Sequence, residues 1–389
     1  MMASSFNNTE RAFALKSDSE LERAYFLFKM ISKEPLVRIG TAVTKFALNA
    51  NLPVQGLIRS TVFDHFCGGT SEDDCLPTVD KLYEAGVSSV LDFSVEGKEE
   101  EEQFDLCMNK ILEITAFAKD KDAMPIVVFK PTGVGRFALW QKVTDGEELA
   151  ISESAEWDRV IERVDTICNA CSEADIEVLI DGEESWMQGA ADDLIAEMMA
   201  KYNKERVVVY NTLQCYRWDR LDYLKRLHVE AKARNFKIGM KIVRGAYMEK
   251  ENTRAENKGY PTPICANKQA TDDNFNAVMR YMFEHLQDIS IFLGTHNEDS
   301  CILATEIMDE MNIPKKDNQV WFGQLYGMSD HISFNLAADG YNVAKYVPFG
   351  PVKDVMPYLI RRAEENTSVA GQTNRELELL KAEKKRRKL

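Results

Sequence analysis

The chemistry-bearing residues closest to the end of the chain lie in Tyr358-Leu-Ile-Arg361-Arg362-Ala-Glu-Glu365-Asn366. Helical spacing puts positions 358, 361, 362 and 365 on one face. Two guanidinium groups there offer paired planar donors that match the oxygens of a carboxylate or phosphate. The plainer alternative is a solvated arginine pair closed by a helix salt bridge to Glu365. Lys130 directly follows the apolar run Ile126 to Phe129. A lysine so placed is either a Schiff-base nucleophile or a fixed cation paired with a carboxylate such as Asp181. Other templates fail. The five histidines, at 65, 228, 285, 296 and 331, show no metal-ligand spacing. There is no nucleophile elbow and no phosphate-binding loop. Gly133-Val-Gly135-Arg-Phe-Ala138 matches a dinucleotide fingerprint only formally, because Lys130-Pro131-Thr132 separates it from the preceding run. Cys168-Asn-Ala-Cys171 is a single C-x-x-C with no second pair, in a stretch that reads as helix.

Something must hold these groups in place, and the hydrophobic pattern says what. Short apolar runs occur at Val87–Val95, Ile126–Lys130, Glu177–Asp181, Val207–Gln214, Ile238–Val243, Ile289–His296, Gln319–Leu325 and Val343–Phe349. Between them lie amphipathic stretches at Glu99–Lys119, Glu156–Ala174, Ala190–Tyr202, Asp219–Asn235, Asn267–Gln287, Ser300–Asn312 and Asp330–Ala338, with Val352–Asn366 after the last. Alternation of this kind predicts βα units and a parallel sheet. Eight units favour closure into a (βα)8 TIM-type barrel, since a closed sheet exposes no edge. An open doubly wound sheet is the alternative. Residues 1–86 read as a helical segment, with Glu20 to Ile31 and Leu36 to Asn49 amphipathic. Residues 87–370 then form the barrel and 371–389 a charged tail.

In a parallel barrel the site forms at the C-terminal ends of the strands. The expected strand-end residues are Asp92, Lys130, Asp181, Gln214, Arg244, His296, Gln324 and Tyr346. Eight polar or ionisable groups in a row mark a site without naming its reaction.

Composition narrows the class. Of 389 residues, 45% are hydrophobic and 29% charged, which is globular. Lys and Arg number 48 against 63 Asp and Glu, a net charge of −15, so binding nucleic acid through bulk charge is excluded. No apolar run reaches the length of a membrane span. The acidic N-terminus argues against a transit peptide. A cytoplasmic protein with reduced cysteines is expected. The run Lys384-Lys385-Arg386-Arg387-Lys388 reads as a solvated tail, or as a contact with anionic lipid at the inner face of a membrane.

Several stretches together resemble the proline dehydrogenase family. They are Lys241-Ile-Val-Arg-Gly-Ala-Tyr247, Gly294-Thr-His-Asn-Glu-Asp299, Trp321-Phe-Gly-Gln-Leu-Tyr-Gly-Met328, Lys345-Tyr-Val-Pro-Phe-Gly-Pro351 and Tyr358 to Asn366. Asn211-Thr-Leu-Gln-Cys-Tyr216 and Leu179-Ile-Asp-Gly-Glu-Glu184 resemble it too. The matches fall in order over roughly residues 87–370.

The resemblance implies a distorted barrel that binds FAD. It implies oxidation of L-proline to Δ1-pyrroline-5-carboxylate by hydride transfer from C5 to flavin N5, with a membrane quinone as electron acceptor. Arg361, Arg362 and Lys130 are then expected to hold the substrate carboxylate, with Asp181 near Lys130 and the substrate amine. Tyr346, Tyr358 and Leu325 resemble residues that wall the proline ring. Gln214, Lys241, Val243, Arg244, Gly245, Ala246, Tyr247, Thr295 and His296 resemble flavin-contacting positions, and Lys241 also counts among the catalytic groups. Glu96 is similar to a gate glutamate that pairs with Arg361, and Glu365 to an orienting one. Lys241 stands where many bacterial members have Arg, and Met248 where some have Trp. The alternatives are a hydroxyproline dehydrogenase of the same family, disfavoured by Tyr346, a Schiff-base lyase using Lys130, and a barrel that only binds. The oligomeric state is open.

Overall fold

All eight apolar runs are strands: β1 Val87–Phe93, β2 Ile126–Phe129, β3 Glu177–Ile180, β4 Val209–Gln214, β5 Ile238–Val243, β6 Ile289–Gly294, β7 Val320–Leu325 and β8 Val343–Phe349. The computed structural model describes residues 6–33, 56, 62–93, 99–360 and 370–389. Glu96, Arg361, Arg362 and Glu365 lie outside the described residues, as do the stretch expected to be helical at Leu36–Asn49 and the end of Val352–Asn366. Most strand positions are buried, which is why the strands read as unbroken apolar runs rather than alternating ones. The sheet order is β1-β8-β7-β6-β5-β4-β3-β2. From β2 to β8 each strand lies beside its sequence neighbour, and β1 pairs in parallel with β8, as in a distorted (βα)8 barrel. Tyr346, expected at a strand end, instead lies in the middle of β8 opposite Val90.

Among the described residues, the helices of four residues or more are α1 Thr9–Ala12, α2 Asp18–Ile31, α3 Glu72–Glu84, α4 Glu101–Ala118, α5 Phe137–Thr144, α6 Ile151–Ala174, α7 Ser185–Tyr202, α8 Arg220–Arg234, α9 Met248–Lys258, α10 Lys268–Glu284, α11 Glu298–Glu310, α12 Asp330–Ala338 and α13 Ala370–Arg387. Of these, α5, α9 and α13 lie where no helix was expected. The chain divides into two compact units, one of residues 1–96, 296–302 and 323–389, the other of 97–295 and 303–322.

In the first unit, Ser17 caps α2 in a capping box with Glu20. The buried face of α2, Leu21, Ala24 and Phe28, packs against Leu379 and Leu380 of α13 and against Ala12 and Phe13. The basic run thus ends a packed helix rather than a solvated tail. Lys384 pairs with Glu22 at 2.7 Å. Arg387 donates to the backbone oxygens of Phe13 at 2.8 Å and Lys16 at 2.7 Å. Deeper in this unit, Asp330 stands between Lys345 at 2.9 Å and Lys16 at 3.0 Å. Burial alone would raise the Asp330 pKa, but the two ammonium groups hold it well below the usual carboxylate range.

His331 of α12 fastens α13. It is 2% exposed and lies 3.1 Å from Glu298 and 3.4 Å from Glu376. Arg375 also reaches Glu298, at 2.7 Å. Burial opposes the imidazolium, yet the two carboxylates raise its pKa to about 9.

In the second unit, β2 to β6 pair in succession, with Ile126 opposite Glu177, Val178 opposite Val209, Tyr210 opposite Gly239 and Ile238 opposite Ile289. Cys168 and Cys171 are buried on α6, and burial pushes the Cys171 thiol up to about 12, so this C-x-x-C packs and does not react. Among the described residues no cluster of His, Cys, Asp or Glu is placed to hold a metal ion, and no helix is long and apolar enough to cross a membrane.

The raised His331 pKa sets the sign of a pH effect. Its stabilisation is complete below the ordinary value of 6.5 and is lost as pH rises through about 9. At pH 6, His331→Gln should lose up to about 3 kcal/mol, read by urea unfolding. That deficit should shrink toward zero by about pH 10. A deficit independent of pH would remove the charged latch.

Candidate active site

Lys130 leaves β2 in an extended conformation and caps the turn Pro131–Gly133, where Gly133 N donates to Lys130 O at 2.9 Å. Pro131 presets the first dihedral of that turn and contributes no competing N–H. Asp181 follows β3, and its N–H donates to Phe129 O at 2.9 Å, so the β2–β3 ladder runs one residue past the strands. Lys241, opposite Thr212 in β5, is 5% exposed and donates to the Asp181 carboxylate. The carboxylate that the sequence offered to Lys130 thus pairs with the cation of Lys241. The half-buried Asp181 carboxylate compensates the water that the buried Lys241 ammonium has lost.

The loop after β3 carries a second buried carboxylate, Glu183, which sequence reasoning did not single out. Glu183 accepts hydrogen bonds from Thr132 N at 3.0 Å and Thr132 Oγ1 at 2.8 Å. Its own N–H donates to Gln188 Oε1 at 3.1 Å, and its carbonyl accepts from the Gln214 side chain. Burial pushes its pKa up to about 7, against the Thr132 hydrogen bonds and the Lys130 charge. Gln214, at the end of β4, thereby braces the β3 loop.

Arg244 follows β5. Its Nε donates to Asp272 at 2.7 Å and its Nη1 to Thr295 Oγ1 at 3.0 Å, and its guanidinium lies 4.5 Å from the centre of the Phe275 ring. The β4–β5 ladder continues past the strands, with Cys215 N to Val243 O and Tyr216 N to Arg244 O, both at 2.7 Å. Gly245 then takes φ +128°, and a Cβ there would come within 2.5 Å of the Tyr216 ring. Only glycine fits both constraints. Gly245 and Ala246 are exposed and Tyr247 is half-buried. The result is a backbone surface with no bulky side chain at its first two positions. The helix that follows, α9, is held by wholly buried Glu251, which accepts from Ser185 N and Oγ at the start of α7, both at 2.6 Å. A carboxylate there also suits the positive end of that helix.

The first unit holds the remaining candidates. His296 Nδ1 lies 2.9 Å from Ser329 Oγ, and its Nε2 lies 3.5 Å from Leu325 N. Leu325 packs against an apolar cluster that contains buried Tyr358, Phe66 and Leu359. Tyr346 is 7% exposed, and its carbonyl accepts from Tyr326 N at 2.8 Å. The structure therefore groups Lys241 with Asp181, Gln214 with the Asp181 loop, Arg244 with Thr295, and Leu325 with Tyr358 and His296.

The family model described as proline dehydrogenase matches residues 75–375. The carbapenem antibiotics biosynthesis protein CarD of Pectobacterium carotovorum subsp. carotovorum is 34% identical, over 86% of this chain and 86% of its own. Mitochondrial proline dehydrogenase 2 of Arabidopsis thaliana is 31% identical, over 97% of this chain and 89% of its own. Among solved structures, proline utilization A from Bdellovibrio bacteriovorus, inactivated by N-propargylglycine, superposes with a TM-score of 0.71 at 22% identity. That match covers 92% of this chain and 38% of the longer protein, and it shows the fold, a distorted (βα)8 barrel. Fold and family match together define a barrel oxidoreductase. The chain belongs to the proline dehydrogenase family, whose reaction is the oxidation of proline in its catabolism.

Gly245→Ala tests the backbone surface. The strained φ and the Tyr216 contact should together cost about 1–3 kcal/mol in urea unfolding. A change of a few tenths would show that the segment relaxes freely.

Proposed function

We propose that this chain oxidises L-proline to Δ1-pyrroline-5-carboxylate with FAD as its resident cofactor, and that a membrane quinone takes the electrons. The observation that carries this reading is the buried Lys241–Asp181 pair beside strand-end Lys130, in a chain of this family. FAD would be held by Gln214, Lys241, Val243, Arg244, Gly245, Ala246, Tyr247, Thr295 and His296. The exposed, unencumbered backbone at Gly245 and Ala246 fits a ligand that lies against the chain, and the cations of Lys241 and Arg244 fit an anionic one. Bound FAD supplies the two-electron oxidant that takes hydride from C5.

The residues of the chain do the rest. Proline is a zwitterion, so its site must compensate a desolvated carboxylate. In this reading Arg361, Arg362 and Lys130 do so, with Glu96 and Glu365 orienting the guanidinium groups. Tyr346, Tyr358 and Leu325 exclude water from the ring and fix its pose, which removes the entropy cost of a productive encounter. The substrate ammonium must release a proton before C5 can give up hydride. Asp181 accepts it, directly or through water, while Lys241 stabilises the carboxylate between turnovers. A cytoplasmic location with peripheral contact at the inner membrane face would bring the protein to its quinone.

The direct test is the visible spectrum of the purified protein. A yellow preparation that bleaches when proline is added without oxygen supports cofactor and substrate together. A colourless protein that borohydride traps with substrate at Lys130 would replace this reading with the lyase. Arg361→Ala and Arg362→Ala should each raise KM for proline, by about 2–5 kcal/mol of lost binding. Normal proline binding in both would move the receptor elsewhere. Tyr346 should disfavour 4-hydroxyproline, so equal kcat/KM for the two amino acids would favour the hydroxyproline enzyme.

A further inference from the structure

Three of the residues assigned above hang on one residue that has no assigned role. Glu183 is 6% exposed, and its carboxylate spends both oxygens on Thr132, two residues past Lys130. Its backbone carbonyl takes the Gln214 amide, and it stands two residues past Asp181 in the same loop. Glu183 therefore joins the loops after β2 and β3 to the last residue of β4. The carboxylate gives each of the two Thr132 donors its own acceptor oxygen, which a neutral amide cannot do, and so fixes the turn next to Lys130 at the cost of burying an acid.

We propose that Glu183 is a positioning residue for proline oxidation, whose carboxylate holds the Lys130 turn in place through Thr132 and so aims the Lys130 amine at the substrate carboxylate. The proposal rests on the reading in which Lys130 contacts substrate. It makes Glu183 a residue that costs stability and supports activity. Its raised pKa, about 7, means that the folded state resists its ionisation. The stabilisation from its neutral form is complete below the ordinary carboxylate range and is lost as pH rises through about 7.

Glu183→Gln is nearly isosteric and keeps a partner for Thr132, but it carries no charge. At pH 8 the thermal midpoint of the variant should exceed that of the wild type, and at pH 5 the two should agree. A brief pulse of an amine-acylating reagent at pH 8, read by peptide mass spectrometry, should label Lys130 several-fold faster in the variant. KM for proline should rise by about ten- to a hundredfold while kcat changes less. Thr132→Val keeps the charge and removes one donor. It should raise KM and speed the labelling of Lys130 in the same direction but by less, and it carries the test if Glu183→Gln is recovered unfolded. Wild-type labelling and KM in Glu183→Gln would overturn the proposal, as would a fall in stability that accompanies the loss of activity at every pH. An unchanged KM in Thr132→Val would overturn it too. If the wild type itself does not oxidise proline, the labelling rates and thermal midpoints still decide whether Glu183 governs Lys130, so that failure belongs to the proposed function and not to this inference.

Discussion

Opposite charges that keep each other out of water are the constraint on which the second unit depends. Lys241 and Asp181 come from positions 60 residues apart and meet where β5 and β3 deliver them. Lys241 is the more deeply buried of the two, and leaving its charge without a partner costs stability, on the order of a few kcal/mol. The pair thus fixes the register of two strands and leaves a carboxylate whose position is set before any ligand arrives. Around it the backbone is braced by further polar contacts. Arg244 is shared by Asp272 and Thr295, Gln214 supports the β3 loop, and Glu251 caps α7. This is preorganisation by polar bracing, in which groups are placed at their working geometry by partners that do no chemistry themselves.

The strands were legible because their burial on both faces makes a simple pattern, short and apolar with turn signals between. All eight were found, and β5 and β8 matched to the residue. The missed helices show the limit of the method. The sequence of α9, Met-Glu-Lys-Glu-Asn-Thr-Arg-Ala-Glu-Asn-Lys, buries only Glu251 and Ala255, so it has almost no apolar period to detect. The eight residues of α5 are too few for a period to stand out. The basic terminus misled for a different reason. Its charges are met by Glu22, Asp18 and Glu383, and only the tertiary structure shows that.

The candidate site was legible as strand ends and not as partnerships. The residue types at 130, 181, 214 and 241 could be read from the chain. That Asp181 pairs with Lys241 could not, nor that Glu183 reaches Thr132 across 51 residues. A loop carboxylate has no periodicity, so the only hint was its place in Asp181-Gly-Glu-Glu184, a stretch denser in acid than a turn requires. Family membership weakens the Schiff-base alternative for Lys130.

The central claim is that a carboxylate fixed by Lys241 accepts the proton that proline must shed. Rapid anaerobic mixing of excess proline with Asp181→Asn, at matched cofactor content, tests it most directly. Cofactor reduction should slow by about a hundredfold or more relative to the wild type, since a positioned base contributes on that scale. Reduction at the wild-type rate would mean that the proton leaves by another route and that the buried pair serves the fold alone.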